Sequence, residues 1–157
     1  MKYIFIFMLS LVLSSCGASY QANKIEKDFK GDWTLESVTF PDSSGFFDVQ
    51  LFDVADVGCF ENSEWNFIPN NSSGKFKLDG NACDTTEQKF TWYIDSETVE
   101  NINPEFLFKV TTGQKAKNVN QGTRLEIKSL SDERMVWEQI TTFNGSAIRV
   151  QMTFLKL

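Results

Sequence analysis

From Phe29 onward, apolar residues recur at every second position in one short run after another, and that period restricts this part of the chain to β-sheet. The first run is "GDWTLESVTF", which precedes a long insertion. "SEWNFI" faces "GKFKLDG" across the turn-rich "PNNSSG", and "QKFTWYI" sets Phe90, Trp92 and Ile94 on one face. "EFLFKVT" is less regular but reads as a strand. "TRLEIKSL" puts Leu125 and Ile127 opposite Arg124, Glu126 and Lys128. "MVWEQITTF" then turns at Asn144-Gly145, a strong hairpin signal, into a strand with Ile148, Val150, Met152 and Phe154 on one side. The pattern predicts eight antiparallel strands and no long helix. Each strand has an apolar face to hide, and closure into an up-and-down barrel hides it and removes exposed edges. A two-sheet sandwich is the structural rival, but local hairpins without a long crossover favour the barrel.

The first fifteen residues follow a different rule. Lys2 gives a basic start, and Tyr3 to Leu13 is apolar apart from Ser10. That run is too short to span a bilayer, which takes about 20 apolar residues, and it has the form of a secretory signal. Leu13-Ser14-Ser15-Cys16 resembles the bacterial lipobox, whose cysteine is diacylated and becomes the new N-terminus. The resemblance implies a signal peptide over 1–15, a lipid-carrying Cys16 and a membrane partner reached through that lipid. A plain secreted chain with an incidental Cys16 is the alternative. In enteric-type sorting an Asp after the cysteine retains the protein at the inner membrane, so Gly17 implies the outer membrane, with the periplasmic face as the expected side. The polar stretch 16–28 reads as a lipidated tether, and 29–157 as one domain with enough residues for a core.

Three cysteines in an exported chain would leave one unpaired. With Cys16 carrying lipid, Cys59 and Cys83 remain as an even pair in an oxidising compartment, so a disulfide between them is expected. The chain has no histidine and no Cys-x-x-Cys, so neither a metal site nor a cofactor is expected, and histidine-based nucleophilic catalysis is excluded. No Gly-rich phosphate loop is present, and the carboxylates Asp53, Asp56, Glu61 and Glu64 read as solvated surface, so the chain is not expected to be an enzyme. A net charge of −6, or −7 once Lys2 is removed, argues against nucleic acid. A monomer is expected.

"DFKGDWTLESV" places Gly31-x-Trp33 at the start of the first strand. Together with "CFENSEWNFIPNNSSGKFKL", "KAKNVNQGTRLEIKSLSDERMVWEQ" and the lipobox, it makes Phe29 to Leu157 resemble the small lipocalin-like lipoproteins of Bacteroidetes-type bacteria. The resemblance implies an eight-stranded barrel with Trp33 plugging its closed end, and a small hydrophobic ligand. Larger lipocalins add a helix after the last strand and an Arg stacked over that Trp; neither can be assigned here.

The insertion "PDSSGFFDVQLFDVADVGCFENS" corresponds to the lipocalin loop over the barrel mouth. Phe46, Phe47, Leu51, Phe52, Val54, Val57 and Phe60 make it too apolar to run free in solvent. It is either a lid over a pocket, tied by Cys59 and Cys83, or packing for its own barrel. Likewise Trp65, Phe67, Phe76, Phe90, Trp92, Trp137, Ile148 and Met152 either line an apolar ligand site or fill the core. Periodicity leaves both open. The leading expectation is a membrane-tethered carrier of a small hydrophobic ligand. The alternatives are a protein-binding barrel of the lysozyme- or protease-inhibitor type, whose acidity would speed encounter with a cationic enzyme, and a structural envelope component.

Overall fold

The computed structural model describes residues 15–42, 47, 49–80 and 82–157. Of the expected signal segment 1–15, residues 1–14 lie outside the described residues, as does the lid candidate Phe46. Helix α1 (Ser15–Asp28) leads into β1 (Gly31–Thr39). A small hairpin follows, β2 (Gln50–Leu51) with β3 (Ala55–Asp56), then β4 (Glu64–Ile68) and β5 (Ser73–Lys77). The chain continues through β6 (Gln88–Ile94), β7 (Glu105–Val110), β8 (Thr123–Leu130), β9 (Arg134–Phe143) and β10 (Ser146–Lys156).

Eight of these strands close a barrel in the order β1-β10-β9-β8-β7-β6-β5-β4. Every neighbouring pair is antiparallel, as the period-two pattern predicts. Closure is made at β1, where Trp33 pairs with Trp65 on one side and Lys156 on the other. One end, here the base, holds the starts of β1, β5, β7 and β9. The opposite end, the mouth, holds the described residues of the lid (40–42, 47 and 49–63), those of the loop after β5 (78–80 and 82–87) and the loop 111–122.

The segment expected as a plain tether is instead helix α1. Its backbone includes Cys16 in the first turn. Beyond Gly17 it has neither glycine nor proline, and Ala22 and Ile25 pack one stripe against the core, continued by the fully buried Phe29. Three apolar positions in a polar stretch make too weak a helical period to stand out. Lys27 in the last turn complements the helix dipole. Glu26 Oε1 accepts from the Ser72 hydroxyl at 3.1 Å, fixing the helix to the β4–β5 turn.

Phe29 plugs the base. Its ring stands edge-on to Phe67 and Phe106, with centroids at 5.7 and 5.4 Å, and its carbonyl accepts a 2.9 Å bond from Trp33 Nε1. Lys156 Nζ lies 4.6 Å from the centre of the Trp33 ring and donates to the Lys30 carbonyl at 2.5 Å. Gly31, at φ +118°, leaves the space this needs, because a Cβ there would come within 3.1 Å of Lys156 Cε. Among the described residues no helix is long and apolar enough to cross a membrane.

Candidate functional site

The aromatic candidates converge on the barrel axis. Trp65 stacks on Phe76 with centroids 4.4 Å apart and planes 16° from parallel. Phe90 sits 4.9 Å from Phe108, and Trp137 lies 4.8 Å from Phe106 and 4.5 Å from Phe154. Phe67, Trp92 and Met152 are buried in the same interior, whereas Ile148 is buried outside that cluster, near the mouth end of β10. The middle of the barrel is thus occupied by its own side chains. The occupation is costly at two points, since Trp92 Nε1 and Trp137 Nε1 are buried with no hydrogen-bond partner among the described residues. Each such donor costs about 1–3 kcal/mol of desolvation.

The lid candidates separate into two groups. Leu51, Phe52 and Phe60 are buried at the mouth. Phe60 lies between Phe52 and Phe76, and Phe52 reaches to 4.6 Å from Phe108. Phe47 instead packs on the rim between Phe40 and Phe143, at 4.9 and 5.2 Å. Below Phe60 the Ser63 hydroxyl accepts from Trp65 Nε1 at 2.8 Å and donates to the Phe60 carbonyl.

Phe52 stands at the tip of the β2–β3 hairpin. The turn is closed by Val54 N–H donating to the Leu51 carbonyl at 3.0 Å, and Phe52 and Asp53 both take φ +56°. A bulky residue in left-handed backbone costs about 1–3 kcal/mol and persists only where its surroundings enforce it. Here the enforcement is the seat of the Phe52 ring on Phe60, Trp65 and Phe108. Behind the tip, Cys59 and Cys83 form the expected disulfide, with Cα atoms 5.7 Å apart, tying the lid to the loop 78–87.

A groove of about 760 Å³ opens beside this tip. Phe52, Phe108, Val54 and Val110 give it an apolar floor, while Gln88, Thr112, Gln114, Asn120, Gln121 and Thr123 ring it with amides and hydroxyls. Asp84 is also on the rim, where hydrogen bonds from the Thr86 hydroxyl and backbone N–H hold its carboxyl below the usual carboxylate range. Lys109 Nζ braces the 111–122 loop by donating to the Val119 carbonyl at 3.2 Å. Sequence reasoning found Phe52 and Val54 but missed the polar rim. Those residues sit in turn-rich loops whose composition is that of any exposed connection.

The arrangement is an eight-stranded barrel with an aromatic base plug and a groove at its lidded mouth. A model of the lipocalin-like domain matches residues 29–137. The chain belongs to the lipocalin-like domain family. No curated protein sequence matches it. In this lipocalin-like domain the helix precedes the barrel, and the cation over the signature Trp33 is Lys156 of β10. Among the described residues no three acidic or cysteine side chains are grouped to hold a metal ion.

Proposed function

We propose that this lipocalin-like domain is a non-enzymatic binding protein, tethered by lipid on Cys16 to the periplasmic face of an outer membrane. It holds a small amphiphilic ligand at the mouth of the barrel. The observation that carries the reading is the groove beside Phe52. Its floor is apolar, with Phe52 and Phe108, and its rim is rich in hydrogen-bonding side chains beside the charged Asp53, Asp84 and Lys109, which suits a ligand with an apolar body and a polar end. The filled axis moves the ligand out from the barrel centre to the mouth. The strained tip makes Phe52 a plug that a ligand can displace, because leaving the seat releases left-handed strain as it loses ring contacts.

Tryptophan quenching tests this. Trp65 lies 6.2 Å from Phe52, so a brominated acyl chain bound at the mouth should quench it saturably, and more tightly when Phe52→Ala opens the seat. Absence of saturable quenching by brominated acyl chains in both proteins would count against the carrier. The second reading, a binder of a cationic protein, is favoured by the filled core and the net charge of −6. It predicts association with a basic enzyme that weakens as salt is raised.

A further inference from the structure

We propose that the closed base of the barrel rests on the lipid surface, so that the mouth faces away from the membrane. This rests on the anchoring reading above, and it adds an orientation that the anchor alone does not dictate. Helix α1 has no slack between it and the barrel: only Phe29 and Lys30 separate Asp28 from β1, and Phe29 is buried in the base plug. The Glu26–Ser72 bond holds the helix against the same end. Its 14 residues extend about 21 Å at 1.5 Å per residue, which bounds the distance from the Cys16 backbone to the base.

The exposed apolar side chains give the second, independent observation. Ile102 is 98% exposed in the β6–β7 loop, and Leu157 is 71% exposed just past β10. Ile68 and Tyr93 lie at the base ends of β4 and β6, and Tyr20 projects from helix α1. Of the large exposed hydrophobic residues described, Ile140 alone lies away from this end, on the outer wall of β9. Single exposed apolar residues are ordinary, but their concentration at the end nearest the anchor is not expected of a surface facing only water. Exposed tyrosine and isoleucine side chains gathered at one end suit shallow insertion among lipid headgroups. The mouth loop "TTGQKAKNVNQG" carries no large apolar residue except Val119. A ligand would therefore exchange with the aqueous side, not directly with the supporting bilayer.

Chemical anchoring tests the orientation without relying on cellular acylation. Residues 16–157 contain the whole barrel and its base helix apart from Ser15, and with Cys59 and Cys83 bonded to each other Cys16 is the one remaining cysteine for coupling. It would be coupled to a maleimide headgroup lipid in phosphatidylethanolamine–phosphatidylglycerol vesicles, and hydrogen exchange compared with the uncoupled chain. Exchange over 95–104 should slow about threefold or more, with 111–122 unchanged, and Ile102→Glu combined with Leu157→Glu should abolish the slowing. Unchanged exchange over 95–104, protection over 111–122 instead, or protection that survives both substitutions would each overturn the proposal. Failure of Cys16→Ala to release the protein from cell membranes would strike the anchoring reading instead, leaving the vesicle result to judge the base.

Discussion

Lys156 joins the two ends of the folded chain at a single side chain. Its stem passes over Gly31, and its ammonium caps the Trp33 ring and donates a hydrogen bond to the Lys30 carbonyl. Lys156→Met keeps the stem but loses the cation–π contact and the hydrogen bond, so a loss of about 1–2 kcal/mol is expected by urea denaturation. Gly31-x-Trp33 marked the start of β1, but the base is plugged by Phe29, and the contact of Lys156 with Trp33 was not legible, because alternation assigns a face but never a partner across the chain. Phe52 obeys a different balance. Truncating a buried Phe ordinarily costs about 3–5 kcal/mol, but at Phe52 the relief of left-handed strain offsets about 1 kcal/mol or more. Phe52→Ala should therefore be clearly milder than Phe90→Ala in the same denaturation series.

Most strands of the barrel announced themselves because they are long enough to show two or more inward side chains. β2 and β3 have two residues each, too few for any period, so the lid's own hairpin was invisible in the sequence. Helix α1 was hidden by its polarity. At β5 the fit of one element to the next is set by Gly74, where a Cβ would come within 2.3 Å of both the Asn66 carbonyl oxygen and Phe90 Cζ. Gly74→Ala must push β5 from β4 or displace Phe90, and a loss of about 1–3 kcal/mol is expected, read as a lower melting temperature. The lid is held by a bridge spanning 24 positions, for which the chain-entropy estimate is about 3.5 kcal/mol. Reduction should lower stability by up to that amount, with the earliest gain in hydrogen exchange at residues 49–63.

At the scale of the whole molecule, the closed eight-stranded barrel was readable from alternation, but whether its interior was hollow was not. The same inward aromatics serve either state, and it is their mutual packing around Trp65 and Trp137, closed at the mouth by Phe52 and Phe60, that fills the axis. The outer wall carries a pH signature. Arg124 bridges Asp95 and Glu105 at 2.9 and 2.8 Å, and its guanidinium hydrogen bond holds the Asp95 carboxyl below the usual range. A depressed folded-state pKa contributes stability above the unfolded value of about 3.9 and loses it as pH falls through the folded value. Melting temperature should thus decline below about pH 4, and less steeply in Arg124→Ala. The closure of the barrel at β1 has a consequence in time. β1 can find its β10 neighbour only after the chain has been delivered through Lys156, more than a hundred positions later. Until then β1 and the growing meander present open edges, and the closing step carries the entropy of the longest loop in the molecule. Folding is therefore completed only once the whole barrel sequence is available, and the most vulnerable species is a nearly complete sheet waiting for its final strand.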